Sequence, residues 1–288
     1  MKTAWVFPGQ GSQAVGMGVD LQETAIGQSK FDQAEEILGW SVVEKCQGNE
    51  EELSRTLYTQ PCLYVIESIL VDLLIAKGQL PYLVAGHSLG EYSALYGARV
   101  FDFATGLKLV QSRAQLMDGA AGGKMAALMR FDRDKLEQAI AANPDVVMAN
   151  DNSEQQVVIS GTPEAVDSIL SLVKVKKTVP LKVSGAFHSP LMAQAAQEFE
   201  GLLASYEFMD AKVPVLSNVD PTPTQSATIL KERLIKQMTG SVRWREIMLQ
   251  LPQEGVTHSV EIGPGKVLTG LIKRTCPELK LTNISTIE

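Results

Sequence analysis

The segment that most restricts the fold is GHSLG at residues 86–90, which lies between an apolar run at 82–85 and a helix of small residues predicted to begin at Glu91. A strand, a glycine-flanked turn and a helix in this order are typical of a parallel sheet in an α/β protein. The segment fits G-x-S-x-G, in which a sharp turn exposes the serine Oγ beside the start of the helix. Ser88 is therefore predicted to be a nucleophile, with a purely structural turn as the alternative.

A serine nucleophile needs a general base, and the chain has three histidines. His188 lies in a loop after a predicted strand, where two predicted domains join, so we expect it to be the base. His87 adjoins Ser88, but neighbouring side chains on a tight turn point apart. We favour a turn-packing or hydrogen-bonding role for His87. His258 opens an apolar strand and is interpreted as structural or exposed.

A second glycine-containing loop, FPGQGSQ at residues 7–13, follows a predicted strand at 3–7. Its glycine spacing does not fit a phosphate-binding loop, and no Lys-Ser/Thr pair follows it. Such a loop can still direct main-chain N–H groups into a cleft. It suits one half of an oxyanion hole, and the N–H of Leu89, after the nucleophile, suits the other half.

Residues 124–184 contain their own pattern of alternating elements. The predicted strands and helices follow in the order β-α-β-β-α-β, the ferredoxin-like motif. In chain order these elements are 124–130, 132–142, 146–150, 156–160, 162–173 and 178–183, with a hairpin turn at 151–153. Further α/β elements follow them. We expect a small domain at 124–188, inserted into a large α/β domain made of residues 1–123 and 189–288.

Composition excludes several classes of protein. Hydrophobic residues make up 45% of the chain and charged residues 20%, as in a globular protein with a proper core. The net charge of −7 argues against a nucleic-acid binder. The three cysteines have neither disulfide nor zinc spacing, no signal peptide is evident, and the longest apolar run is interrupted by Asp72. We expect a cytoplasmic protein without a metal site or membrane span.

The sequence resembles a known family, the malonyl-CoA:acyl carrier protein transacylases and the acyltransferase domains of fatty-acid and polyketide synthases. Six motifs in order carry the resemblance along nearly the whole chain. They are FPGQGSQ at 7–13, GHSLGEYSA at 86–94, QSRAQLM at 111–117, GAFHSPLM at 185–192, KQMTGSVRW at 236–244 and GPGKVLTGL at 263–271. The resemblance implies a large α/β-hydrolase-like domain with a parallel sheet and a ferredoxin-like insert between the serine and the histidine.

The resemblance also implies a role for each matching residue. Ser88 would accept the acyl group, and His188 would act as its general base and acid. Gln10 and Leu89 would form the oxyanion hole with their main-chain N–H groups. Arg113 would bind the free carboxylate of the malonyl group, because a guanidinium pairs with a carboxylate in a bidentate manner and a neutral acetyl group offers no such partner.

Two further positions follow from the same motifs. Gln237 takes the place of the third member of the triad and would hold His188 through a carbonyl rather than a carboxylate. The ring of Phe187 would crowd an α-methyl branch, so methylmalonyl-CoA should be a poor substrate. Three more candidates for the substrate-binding cleft lie on the nucleophile turn or at the predicted hairpin, although asparagine is also common in turns for structural reasons. They are His87, Asn150 and Asn152.

The implied activity is transfer of a malonyl group from malonyl-CoA to the phosphopantetheine thiol of holo acyl carrier protein, through a malonyl-serine intermediate, in fatty-acid synthesis. A coenzyme A thioester is then the substrate, and no cofactor is implied. We expect a monomer. Three basic clusters are candidate docking sites for an acidic carrier protein, with ordinary solvated surface as the alternative. They are KVKK at 174–177, Arg243 with Arg245, and Lys273 with Arg274.

Three other functions remain open at this stage. A serine hydrolase of the α/β-hydrolase type shares G-x-S-x-G, but it predicts an acidic residue on the histidine and no cation for the acyl group. A noncatalytic docking subunit would not need the Ser88 and His188 pair. A trans-acting polyketide acyltransferase would share every motif, so it differs only in the carrier protein that it serves.

Overall fold

The computed structural model describes residues 2–120 and 122–286, which form two β-sheets with helices packed around them. The nine strands of the described residues are β1 (Thr3–Phe7), β2 (Leu83–Gly86), β3 (Lys124–Phe131), β4 (Val146–Ser153), β5 (Gln156–Gly161), β6 (Val175–Pro180), β7 (Val215–Leu216), β8 (His258–Ile262) and β9 (Lys280–Ile284).

The α-helices of the described residues, in chain order, are α1 (Ala25–Leu38), α2 (Val42–Gln47), α3 (Glu50–Leu53), α4 (Thr56–Ala76), α5 (Gly90–Gly97), α6 (Phe103–Gly119), α7 (Arg133–Ala141), α8 (Pro163–Leu172), α9 (Ala193–Ala204), α10 (Ala227–Gln237), α11 (Trp244–Gln253) and α12 (Val267–Thr275). α4 is long and apolar enough to cross a membrane by length and composition, but 78% of that stretch is buried inside the protein. The apolar composition of α4 is therefore that of a helix in the core of the protein.

The five-stranded sheet has the order β7-β2-β1-β8-β9, and all of its strands run parallel. Side chains of β1 alternate between two apolar layers, as the two-residue period of a strand requires. Trp5 and Phe7 pack in the core that holds α1, α4 and α6. Ala4 and Val6 pack on the other face, in the core that holds α11 and α12. Helices therefore cover both faces, which explains the continuous apolar strands of the sequence.

The four-stranded sheet is antiparallel and has the order β4-β5-β3-β6. Its strands and the helices α7 and α8 follow in the chain as β-α-β-β-α-β, so the predicted ferredoxin-like arrangement is present within the α/β chain. Helix α8 packs its buried face, which includes Val166 and Ile169, against Leu128 and other apolar residues of this sheet. The exact limits of the inserted domain, 124–188, stay a prediction.

Two boundaries of this unit differ from those predicted. The hairpin does not turn at residues 151–153, because β4 continues to Ser153 with two register shifts and the turn falls at 154–155. Asp151 is held in the strand by ion pairs with Arg133 (2.9 Å) and Arg245 (2.8 Å), so a residue that favours turns stays extended here. The last strand is β6 at 175–180 rather than 178–183, because its lysines are tolerated on an exposed edge strand.

Candidate active site

Ser88 lies on the tight turn between β2 and α5. Its φ of 52° is in the left-handed region, which residues other than glycine rarely adopt. The flanking glycines have no room for a side chain, since a Cβ on Gly86 would collide with the main chain of Gly90, and one on Gly90 with the carbonyl of Phe7. The two glycines therefore let the turn fold onto the end of β1 and leave the Ser88 side chain at the edge of the sheet.

The imidazole of His188 faces this serine. Its Nε2 lies 2.8 Å from Ser88 Oγ, and its Nδ1 lies 2.9 Å from the main-chain oxygen of Gln237 and 3.2 Å from that of Gly240. A carbonyl oxygen can only accept a hydrogen bond, so Nδ1 carries the proton. Nε2 is then free to accept the hydroxyl proton of Ser88, as a general base must.

The charge state of His188 also suits a base. Burial lowers the pKa of His188 to about 3, and the nearby positive charge of Arg113 lowers it in the same direction. The two carbonyls that accept from Nδ1 oppose this change only in part. His188 is therefore neutral at neutral pH, and the predicted nucleophile and base meet in a state ready for proton transfer.

The carbonyl expected from Gln237 is a main-chain carbonyl. The Gln237 side chain points elsewhere, with Oε1 accepting from Arg113 (3.0 Å) and Nε2 donating to the main-chain oxygen of Ser88 (2.9 Å) and to Glu91 (2.7 Å). Because a main-chain carbonyl is present in every residue type, the glutamine side chain is not what orients His188. It bridges the nucleophile turn to Arg113 instead.

Arg113 projects from α6 into the same site and is only 1% exposed. Its Nη1 donates to Gln60 Oε1 (2.7 Å), and its Nη2 donates to Ser88 Oγ (3.1 Å). Burial lowers its pKa. No carboxylate of the described residues forms an ion pair with it, and its Nε has no hydrogen-bond partner there. The nearby carboxyl of Glu91 acts on Arg113 only through space. A buried cation that lacks a direct ion pair is suited to bind an anion.

The predicted oxyanion groups lie beside the nucleophile. Gln10 and Leu89 both line the cavity at Ser88, and no acceptor within the described part of the chain occupies either main-chain N–H. Gly9 packs against the main chain of the nucleophile turn, so the loop at 7–13 and the turn are in direct contact. The open N–H of Leu89 also lies at the N-terminal end of α5, where the helix dipole favours negative charge.

The cavity itself is small, about 90 Å³. Its polar wall consists of the side chains just described, and its apolar wall is formed by Met117, Met125, Leu181, Val183 and Phe187. Val183 also lines a larger neighbouring cleft of about 850 Å³, whose wall includes Arg55 and Lys182. A small acyl group fits the cavity, and the larger cleft lies beside it.

The other candidate residues divide between the cavity and its surroundings. Phe187, His87 and Asn150 line the cavity. Asn152 does not line it, but its Oδ1 accepts a hydrogen bond from His87 Nε2 (2.8 Å), whose ring also meets Trp244 edge-on. The hydrogen-bonding interpretation of His87 therefore fits its geometry. The third histidine, His258, contacts Thr282 between β8 and β9, away from this site.

Three buried polar residues of the site were not predicted. Gln60 contacts Arg113, Glu91 contacts Gln237, and Asn218 contacts the main chain of the nucleophile turn. Glu91 stands inside the motif at 86–94, which is a signal that could have revealed it. Gln60 and Asn218 follow no motif of their own. Burial raises the pKa of Glu91, and hydrogen bonds from Gln237 and Asn218 act in the opposite direction.

Comparison with known proteins agrees with this geometry. The chain matches the acyl transferase domain family over residues 4–287. It belongs to that family. A malonyl CoA-acyl carrier protein transacylase of Synechocystis sp. is 66% identical over 288 residues, covering 100% of this chain and 98% of that protein. The family resemblance drawn from the six motifs is thereby confirmed.

Solved structures of the acyl transferase family share the fold. The crystal structure of a Synechocystis sp. malonyl-CoA:ACP transacylase has a TM-score of 0.98 at 66% identity, covering 100% of this chain and 98% of that one. A malonyl-transacylase solved with its type II polyketide acyl-carrier protein has a TM-score of 0.93 at 38% identity, covering 100% and 97%. The predicted α/β fold, with its parallel sheet and separate antiparallel sheet, is confirmed.

Proposed function

We propose that this chain transfers a malonyl group from malonyl-CoA to the phosphopantetheine thiol of a holo acyl carrier protein, through a malonyl ester of Ser88, in fatty-acid synthesis. One observation carries the proposal, namely that a nucleophile with its neutral base and a buried arginine that forms no ion pair with a described carboxylate face the same cavity of about 90 Å³. The names of the similar proteins support the choice of donor and acceptor.

In the first half-reaction, Ser88 Oγ attacks the thioester carbonyl carbon of malonyl-CoA and gives its proton to His188 Nε2. The carbonyl oxygen becomes an oxyanion, which the N–H groups of Gln10 and Leu89 stabilise. The carbon–sulfur bond then breaks, and the leaving sulfur takes the proton from His188. The products are the malonyl ester of Ser88 and coenzyme A as the free thiol.

The second half-reaction reverses these steps with a different thiol. The thiol of the carrier protein gives its proton to His188 Nε2, and its sulfur attacks the ester carbonyl carbon. The bond between the acyl carbon and Ser88 Oγ breaks, and Oγ takes the proton back. The enzyme returns to its starting state, and His188 is the only residue that carries the proton in both halves. This chemistry needs no metal or redox cofactor.

Arg113 provides the preference for a malonyl group. Its guanidinium would pair with the free carboxylate after leaving Ser88 Oγ, which it contacts at 3.1 Å without substrate. Leaving a buried charge unpaired costs on the order of 2–5 kcal/mol, so an acetyl group is disfavoured. Phe187 would crowd an α-methyl branch, and one methyl group is worth about 1–3 kcal/mol of discrimination, so methylmalonyl-CoA should react slowly rather than be excluded.

The carrier protein would dock on the basic cluster KVKK at 174–177. Arg243 pairs with Glu246 and Arg245 pairs with Asp151, so these two arginines are already neutralised. The lysines of the KVKK cluster form no ion pair with any described residue. Lys176 and Lys177 lie on the exposed edge strand β6, and Lys174 directly precedes it. The chain continues from β6 to Lys182, which lines the larger cleft. An acidic partner would therefore find positive charge that no carboxylate of the described residues already pairs.

The alternatives predict different products. A serine hydrolase would release malonate without any carrier protein, and a docking subunit would form no acyl-enzyme. A polyketide transacylase would carry out the same chemistry with a different carrier. We assign the chain to fatty-acid synthesis on the family resemblance stated above, and we expect a monomer of the cytoplasm.

The test is a transfer assay with malonyl-CoA and a holo acyl carrier protein, read by the mass of the carrier protein. Wild-type protein should add one malonyl group to the holo form and none to the apo form, which lacks the thiol. Ser88→Ala should abolish transfer. Release of coenzyme A at the same rate with and without the carrier would instead identify a hydrolase.

A further inference from the structure

Asn218 lies two residues beyond β7, at the same edge of the parallel sheet as the nucleophile turn. β7 and β2 are neighbouring parallel strands, so their carboxyl ends meet at that edge. Asn218 is completely buried. An asparagine buried there needs partners for its amide, and the partners that it has are on the main chain around Ser88.

The side-chain amide of Asn218 holds the main chain on both sides of His87. Its Oδ1 accepts from the N–H of Ser88 at 2.7 Å, and its Nδ2 donates to the carbonyl of Gly86 at 2.5 Å. These two bonds span the segment in which the chain leaves β2 and enters the left-handed conformation of Ser88. An amide is suited to this position because it offers a donor and an acceptor on one planar group.

The main chain of Asn218 is itself fixed at both ends. Its N–H donates to Glu91 Oε2 (3.2 Å), and its carbonyl accepts from the N–H of Arg243 (3.0 Å). Glu91 also accepts from Gln237 Nε2, the amide that bonds the main-chain oxygen of Ser88. The nucleophile turn is thus held by two side-chain amides, one on each side, and Glu91 connects them.

We propose that Asn218 is a positioning residue that maintains the left-handed turn of Ser88, and with it the alignment of Ser88 Oγ to His188. The proposal rests on the function proposed above. A left-handed serine is unfavourable by itself, so neighbouring groups must maintain it. If the amide were lost, Ser88 would relax toward a common backbone conformation and Oγ would leave its 2.8 Å contact with Nε2.

The test uses two variants of Asn218 and a matched control. Asn218→Leu keeps the size of the side chain and removes both hydrogen bonds. Asn218→Asp keeps the oxygen that accepts from Ser88 and removes the amide donor to Gly86. The control is Asn283→Leu, on strand β9 of the same sheet, where the amide bonds Glu261 (3.0 Å) and the Gly265 carbonyl (3.4 Å) far along the sheet from Ser88.

Two rates are measured for each protein: formation of the malonyl-enzyme from malonyl-CoA in a single turnover, and labelling of Ser88 by a fluorophosphonate. For Asn218→Leu we expect both rate constants to fall about 100-fold, the cost of misplacing a reacting group by about an ångström, with KM for malonyl-CoA within about threefold of wild type. Asn218→Asp should lose less. Asn283→Leu should lower the melting temperature and leave both rate constants unchanged.

The outcomes separate the two proposals. If both Asn218 variants react with the fluorophosphonate at the wild-type rate, the positioning role is wrong, whether or not malonyl transfer occurs. If wild type reacts with the fluorophosphonate but forms no malonyl-enzyme, the proposed substrate is wrong, and the labelling rates still decide the role of Asn218. Should Asn218→Leu fail to fold, the labelling rate of Asn218→Asp decides it, with a wild-type rate as the contrary result.

Discussion

Two glycine-containing turns of the parallel sheet each connect a strand to a helix. GHSLG at 86–90 follows β2 and leads into α5, and GPGK at 263–266 follows β8 and leads into α12. Both turns leave a helix N-terminus at the carboxyl edge of the sheet, where main-chain N–H groups have no partner within the helix. The two turns therefore start from the same local chemistry.

They differ in what satisfies those N–H groups. At the second turn, Glu261 reaches back from β8 and accepts from Leu268 (2.9 Å) and Thr269 (2.7 Å), so the protein caps its own helix. At the first turn, the N–H of Leu89 meets no acceptor within the described residues. Of the two similar turns, the one that keeps an N–H open, that of Leu89, is the turn that carries Ser88.

The largest effect is expected from Arg113→Ala, which changes the site beside the GHSLG turn. Malonyl transfer should fall about 30-fold or more in kcat/KM, because a desolvated pair with the carboxylate is worth about 2–5 kcal/mol. Acetyl transfer from acetyl-CoA should rise, since no buried charge is then left unpaired. The measurement is kcat/KM for both thioesters.

The control for that variant is Arg233→Ala, which removes another buried arginine, one that pairs with Asp220. It should leave the ratio of malonyl to acetyl transfer unchanged. Equal losses with both thioesters in Arg113→Ala would refute the role in carboxylate recognition.

At the GPGK turn, Glu261→Ala should lower the stability of the fold and leave the rate of malonyl-enzyme formation unchanged. It leaves two helix N–H groups without an acceptor, which should lower the free energy of unfolding by about 2–3 kcal/mol. Glu261→Gln keeps one acceptor and should cost less. Chemical denaturation measures both variants, and single-turnover malonylation of the folded fraction should match wild type. A large loss of that rate would mean that the two turns are not separate in function.

Glu67 lies against Gly263 of the GPGK turn, so its ionisation offers a second test of that turn. It is fully buried beside Gly263, and burial, followed by the charge of Glu261, raises the pKa of its carboxyl well above the ordinary value, with Ser93 opposing them. The folded state therefore holds this proton more tightly than the unfolded state. Its contribution to stability is complete below about pH 4.5 and is lost as the pH rises toward the folded-state pKa.

Glu67→Gln has no proton to lose, so it should be increasingly more stable than wild type as the pH rises from 5 to 7, by at most about 1.4 kcal/mol per pH unit. Urea denaturation at several pH values measures this difference. The exposed Glu200→Gln is the control for the substitution itself. A constant difference for Glu67→Gln would mean that the buried carboxyl is not held in its neutral form.

The smallest change is expected in the pH dependence of malonyl-enzyme formation at Ser88. Because the pKa of His188 is lowered to about 3, the free enzyme keeps a neutral base down to about pH 5. kcat/KM for malonyl-enzyme formation, which reports the free enzyme, should vary within about twofold from pH 8 to pH 5. An imidazole with an ordinary pKa near 6.5 would give a loss of about 30-fold, and that result would contradict the buried, neutral base.

The residues of the site that can be predicted from the sequence are those with a local signal. Ser88 stands in G-x-S-x-G after an apolar strand, and His188 stands in a loop where two predicted domains join. Arg113 stands in a family motif, so residue type and position both identify these three residues. The ferredoxin-like unit was predictable because its strands and helices alternate at the correct lengths. These features depend on local patterns, which a sequence displays directly.

The remaining features depend on contacts between distant segments. The groups that orient His188 are main-chain carbonyls, which no residue type reveals. Asn218 follows a strand of only two residues, and its partners are 130 residues away in the chain. The hairpin was misplaced because Asp151 favours turns locally, while Arg133 and Arg245 keep it in β4. Tertiary contacts override local propensity at these positions.

The most direct test of the account locates the acyl group. Wild-type protein is mixed with malonyl-CoA without a carrier protein, quenched rapidly, and analysed by intact mass and by fragmentation of the modified peptide. The account predicts one malonyl group on Ser88, which holo acyl carrier protein removes much faster than water does. A malonyl group on any other residue, or one lost to water at the same rate with and without the carrier, would contradict it.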